Sequence, residues 1–309
     1  MKYKVLLLLC LILAIIMLSS CAPHPDLDLD EKTTPEPTPT EQPVLSLTPS
    51  PTPTMPIDTP SPTPPIPDYI IIRGEQYNTS LTELDLQGLD LYNDDILPLK
   101  HMINLEMLLL TNNNINDLTP LVGLINLRSL GIGGNQIIDL TPIDVLTNLQ
   151  NLYANENQIT DLFPLNNLIK LDTLWLHNNQ ISDLTPLVNL NRLTSLTLYE
   201  NQIYDLSPLI TLTRLDVLIL SDNYIADITP IMDMVELMTL SLERNNISDI
   251  TPLTRLTKLI SLRLNDNQIT DISPLADLPW LYNLGLAGNP IEDWSPIEHL
   301  WEQPGCGPP

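Results

Sequence analysis

Leu105-Glu106-Met107-Leu108-Leu109-Leu110-Thr111-Asn112-Asn113-Asn114-Ile115 is the stretch that decides the fold. Leu108 and Leu110 alternate with Met107, Leu109 and Thr111, the period of a short β-strand with leucines facing in and their neighbours facing out. Asn113 follows where the chain has to turn away. An inward amide there can bond backbone groups that the turn would leave unpaired. The stretch belongs to a unit, L-x-x-L-x-L-x-x-N-x-I-x-D-(L/I)-x-P, that recurs nine times with few substitutions. Its asparagine returns every 22 residues, at Asn113, Asn135, Asn157, Asn179, Asn201, Asn223, Asn245, Asn267 and Asn289. A fixed period of this size marks a solenoid, in which each unit buries its apolar face only against its neighbours. Stacked in register, the asparagines predict a ladder. The chain reads as a recognition surface rather than an enzyme.

The second half of the unit places a hydroxyl residue before proline: Thr119-Pro120, Thr141-Pro142, Thr185-Pro186, Ser207-Pro208, Thr229-Pro230, Thr251-Pro252, Ser273-Pro274 and Ser295-Pro296. This predicts a Ser/Thr cap with proline at the first position of a short 3₁₀ turn. Phe163-Pro164 breaks the rule, and its turn is expected to be less well capped. Aspartates recur too, from Asp117 through Asp139, Asp161, Asp183, Asp205, Asp227, Asp249 and Asp271 to Asp293. Carboxylates stacked about 4.8 Å apart repel unless they are satisfied. Either each accepts hydrogen bonds from amides near its turn, or the column holds calcium. The glycine-rich spacing of calcium-binding β-rolls is missing and no second ligand type converges, so no metal or cofactor is assigned.

These residues resemble the leucine-rich repeats of the bacterial internalin family, whose 22-residue unit also reads N-x-I-x-D-(L/I)-x-P-L; the match spans roughly Ser80 to Leu300. The resemblance implies an α/β repeat fold, a leucine-rich-repeat solenoid. Such a solenoid has a curved parallel β-sheet on its concave face and short 3₁₀ or loop segments on its convex face. Internalins are generally surface adhesins or invasion proteins. A solenoid's ends need caps. Residues 68–104 are read as an N-terminal cap and degenerate first repeat, with the apolar run Tyr69-Ile70-Ile71-Ile72 and with Leu89 where the asparagine belongs. Residues 105–301 hold the nine repeats and a C-terminal cap built from Trp294, Ile297, Leu300 and Trp301, and 302–309 form a tail.

Residues 1–20 read as a signal peptide: Lys2 and Lys4, an apolar run from Val5 to Leu18, then Ser19-Ser20 before Cys21. Leu18-Ser19-Ser20-Cys21 resembles the lipobox of bacterial lipoproteins, which implies a lipid on Cys21; an ordinary cleaved signal with a chance cysteine is the competing reading. One acyl chain holds reversibly at about 0.8 kcal/mol per buried CH₂, so lasting attachment takes two or three chains. Residues 21–67 carry fifteen prolines and few large apolar side chains, the composition of a disordered tether. With Cys10 and Cys21 consumed, Cys306 alone remains, leaving no intrachain disulfide in the mature chain. These features place the protein at the outer face of a bacterial cell membrane, in contact with it only through the lipid. A formal net charge of −25 argues against nucleic acid.

The partner site is expected on the outward strand residues. Tyr153, Trp175, His177, Tyr199 and Ile219 fall on consecutive coils of a chain that is 5% aromatic overall. Exposed Trp and Tyr are enriched at binding hot spots. Glu156, Glu200, Asp222 and Glu243 surround them, with Arg244 and Arg263 towards the C-terminal end, while Gly131, Gly133 and Gly134 leave a shallow, side-chain-poor stretch on the N-terminal side. An acidic rim around an aromatic centre suits a protein partner of basic or mixed charge. A glycan or cell-wall polysaccharide is the alternative, because aromatic rings also stack on sugars. A third reading is a passive spacer, with the aromatics only stabilising the sheet. No nucleophile–base spacing, phosphate loop or metal motif supports catalysis.

Overall fold

The computed structural model describes residues 66–300, the side chain of Leu300 excepted. Ten parallel strands, from β3 (Glu83–Asp85) to β12 (Asn283–Gly285), form one sheet in unbroken sequence order. Each strand is three residues long and pairs without slippage, as in Leu108↔Leu130 and Leu240↔Leu262. This is the leucine-rich-repeat solenoid, with short 3₁₀ turns opposite the sheet.

The core is a stack of equivalent layers. In the coil around Trp175, Leu171, Leu174, Leu176, Ile181, Leu184, Leu187 and Leu190 are each at most 1% exposed. Burying one such side chain contributes roughly 2 kcal/mol. A lone coil has nothing on either side to bury them against, so the layers stabilise one another.

The asparagine ladder forms as expected. Asn201 Nδ2 donates to the carbonyls of Leu176, Leu198 and Tyr199 at 3.0, 3.1 and 3.3 Å, and its Oδ1 accepts from the Ile181 amide at 2.9 Å. Leu176 and Ile181 lie in the preceding coil, so each asparagine ties two coils together. In the degenerate first repeat, the amides of Leu89 and Leu91 both donate to Asn113 Oδ1.

The capping of the turns differs from expectation. Each hydroxyl residue is the first residue of its 3₁₀ turn, as in Thr119–Leu121 and Ser207–Leu209, and no side chain of the preceding residue caps it. The cap is the aspartate two positions earlier. Asp205 accepts from both the Ser207 amide, at 2.8 Å, and the Ser207 hydroxyl. A carboxylate is the stronger acceptor, and at this spacing it closes an Asx turn. These bonds satisfy the aspartate column, and they hold the carboxyls of Asp139, Asp183, Asp205, Asp249, Asp271 and Asp293 below the usual carboxylate range. Asp161 keeps the amide of Phe163 at 2.7 Å, without a hydroxyl to add to it.

At the N-terminal end β1 (Tyr69–Ile72) pairs antiparallel with β2 (Glu75–Asn78) and lays Ile70 and Ile72 against the core. A one-turn helix, α1 (Asn93–Ile96), absorbs the extra length of the degenerate repeat. At the other end Trp294 packs partly buried against the core and Ile297 is buried. The side chains of Leu300 and Trp301, the leader with Cys21, most of the tether and Cys306 lie outside the described residues.

Candidate interaction face

Strands β6 (Asn151–Tyr153), β7 (Thr173–Trp175), β8 (Ser195–Thr197) and β9 (Val217–Ile219) carry the centre of the concave face. Their register sets Tyr153 beside Trp175, and Thr197 between Trp175 and Ile219. His177 and Tyr199 stand two residues beyond Trp175 and Thr197, on the same face. At parallel-strand spacing, rings on adjacent coils must touch.

They do so in a continuous row. Tyr153 meets Trp175 edge to face, with centroids 4.9 Å apart and planes at 76°. Trp175 and His177 are tilted at 6.3 Å, and His177 stacks on Tyr199 at 4.3 Å and 13°. Each such pair contributes about 0.5–1.5 kcal/mol beyond area burial. The expected open display is therefore corrected: Tyr153, Trp175 and Tyr199 are half-buried, and His177 and Ile219 are each 8% exposed. The coil spacing that gathers the rings also makes each one cover the next.

Two polar atoms in this row stand out. Trp175 Nε1 and His177 Nδ1 are buried without a hydrogen-bond partner. A buried donor or acceptor left unmade costs about 1–3 kcal/mol. Burial pushes the His177 imidazole down to about 4, so it is neutral at physiological pH. The Tyr199 hydroxyl is pushed up to about 12, first by burial and then by the negative charges of Glu200, Glu156 and Asp222. The Tyr153 hydroxyl is also raised, by burial and by Asp172. Asp172 belongs to this setting, and the sequence pattern missed it because it precedes the strand instead of facing out from it.

The carboxylates on the rim sit on unusual backbone. Glu156, Glu200 and Asp222 have φ of 53°, 54° and 56°. The same place in other coils holds Asn112, Asn178, Gly134 and Gly288, residues that accept left-handed backbone readily, and also Arg244 and Asp266. A glutamate there costs roughly 1–2 kcal/mol. Glu156 and Glu200 are exposed, and both flank the aromatic row.

Other parts of the expected rim are differently placed. Arg244 is held by Asp222, its Nη2 donating to Oδ2 at 2.7 Å. Glu243 is 9% exposed, accepts from Asn265 Nδ2 and faces Arg263 Nη1 at 3.8 Å, so it belongs to the sheet face and not to an outer rim. Gly131 and Gly133 do not leave an open trough. Both are buried, because the side chains of Leu109 and Thr111 lean over Gly131 and that of Asn155 over Gly133. A Cβ on Gly133 would lie 2.7 Å from Asn155 Oδ1.

Among the described residues, no group of three or more His, Cys, Asp or Glu is placed to hold a metal ion, and no helix is long and apolar enough to cross a membrane. The face offers stacking and charge, and the two unsatisfied ring nitrogens are buried within the row. No carboxylate orients the unpartnered His177 Nδ1, as one would for a general base.

Residues 103–145, 147–189 and 257–299 match the family described as Leucine Rich repeats (2 copies). The structure is similar to an internalin (inlF) from Listeria monocytogenes at 34% identity and a TM-score of 0.65, over 74% of this chain and 75% of that one. The chain belongs to the internalin family of leucine-rich-repeat proteins. Internalin C2 from Listeria monocytogenes is also similar, at 32% identity and a TM-score of 0.53, over 69% of this chain and 86% of that one. The plant peptide hormone receptor RGFR1, solved in complex with RGF2, shares the fold at 22% identity and a TM-score of 0.61, over 73% of this chain and 41% of the receptor. No curated protein matches the sequence. For this internalin relative, the leucine-rich-repeat fold is the architecture of a protein-interaction module.

Proposed function

We propose that this chain is an adhesin-like protein-binding module, anchored by lipid on Cys21 at the outer face of a bacterial cell membrane, that takes a protein partner on its concave face. The observation that carries the reading is the row Tyr153–Trp175–His177–Tyr199, built on consecutive coils at contact distances. The partner is a surface or host protein. Residues 1–20 act as the signal peptide and 21–67 as the tether. Residues 68–104 cap the nine repeats of 105–301, and 302–309 follow as a tail. Internalin membership supports the interaction role, and the half-buried rings favour a protein over a flat sugar platform.

The test is retention from surface extracts by the full chain, wild type beside Trp175→Ala/Tyr199→Ala, with a glycan array run in parallel. A protein held by the wild type and lost by the variant, while urea unfolding shows the variant folded, supports the reading. Signal on the glycan array alone replaces it with polysaccharide binding. Equal retention by both forms removes the aromatic row from the site. Release of a Cys21→Ala chain into the medium, and the mass of the mature N-terminus, test the anchor.

A further inference from the structure

Resting on the concave-face reading, we infer that the face recognises a cationic side chain, an arginine or lysine of the partner, seated against Tyr199 between the carboxylates of Glu156 and Glu200. Three features of the site converge on this chemistry.

The first is the ring itself. One face of Tyr199 is covered by His177. On the other side, the next coil offers only the short Ser221 at the same register, tied to Ser241 by a 2.7 Å hydroxyl–hydroxyl bond. The face of an aromatic ring attracts a cation through its quadrupole. The second is charge. Glu156, Glu200 and Asp222 all act on the Tyr199 hydroxyl; Asp222 is paired with Arg244, while Glu156 and Glu200 are exposed beside the ring. The third is the whole chain: at −25 it draws a basic partner and repels an acidic one.

A sugar brings no charge for the carboxylates.

The test titrates the full chain with a synthetic peptide of alternating glycine and arginine. The same peptide with citrulline, the neutral isostere of arginine, is the control. The arginine peptide is expected to bind about tenfold or more tightly than the citrulline peptide. Tyr199→Leu, which leaves the charge unchanged, should weaken the arginine peptide by about tenfold. Glu156→Gln/Glu200→Gln should weaken it similarly and flatten the loss of affinity between about 0.05 and 0.5 M salt. Urea midpoints check that both variants fold.

Equal affinity for the arginine and citrulline peptides overturns the inference. So does arginine binding that is indifferent to Tyr199→Leu, which would be attraction to an acidic surface and nothing more. If the protein partner is lost by Trp175→Ala but kept by Glu156→Gln/Glu200→Gln, the concave-face reading stands and cation recognition falls. If the arginine peptide behaves as expected while no protein is retained from extracts, the cation site stands and the adhesin reading falls.

Discussion

The asparagine ladder and the concave face are built by the same coils, a few residues apart, and they treat repetition in opposite ways. In the ladder every coil repeats its neighbour: Asn179, Asn201, Asn223 and Asn245 each donate to three carbonyls and accept from an amide one coil back. On the concave face no two adjacent coils agree, and Gly131, Tyr153, Trp175, Thr197 and Ile219 occupy one register position in turn. The interior leaves one solution open because backbone groups out of reach of water must be paired. The face looks towards solvent and is free to vary from coil to coil.

The comparison breaks first if the ladder proves dispensable. Asn201→Ala strands the Ile181 amide in the interior and takes one of two donors from each of the carbonyls of Leu176, Leu198 and Tyr199, and should cost about 4 kcal/mol, the sum of one unmet buried group and three lost hydrogen bonds. Tyr199→Ala should cost roughly half of that while removing partner binding. Urea midpoints for the two variants decide it, and the reverse ranking would mean that the face, not the ladder, carries stability.

The next effect concerns His177. Its folded value, about 4, lies below the unfolded value of roughly 6.5. Between those limits the unfolded chain takes up a proton that the folded chain refuses, so stability falls as pH drops across the window, by up to about 3 kcal/mol. His177→Gln should remove that part of the slope, as read from unfolding free energies at about pH 7 and pH 4.5. The turn aspartates act lower. With folded values held down, they add stability above about pH 3.9 and lose it as pH falls through their depressed range. A His177→Gln chain with an unchanged slope would place the imidazole in water.

The smallest effect lies in the turns. Asp183→Ala removes an acceptor for both the amide and the hydroxyl of Thr185 and should cost about 1 kcal/mol. Asp161→Ala should cost less, since Asp161 accepts from the Phe163 amide without a hydroxyl. Phe163→Thr should raise the urea midpoint and bring the two aspartate variants level.

The fold was legible because period and chemistry agreed at every coil. Leucines at alternate positions gave the strands, the recurrent asparagine gave the ladder, and Thr/Ser-Pro marked the 3₁₀ turns. The capping of those turns was assigned to the wrong atom. Sequence places Asp and Ser/Thr two residues apart, but which of them accepts depends on backbone angles that no propensity states. Tyr153, Trp175, His177 and Tyr199 were legible as a group, because a 22-residue register puts them on neighbouring coils. Their burial was not, nor was the closure of the glycine stretch by Asn155 and Leu109.

The sequence by itself determined the solenoid, its register and the identity of the side chains that face out, since each follows from a local pattern copied nine times. Only the tertiary structure decided how those side chains meet. Contacts between coils depend on a separation of about 5 Å in space between residues 22 apart in the chain. At that distance rings cover rings, Tyr199 keeps one face uncovered by another ring, and carboxylates from three coils converge on a single hydroxyl.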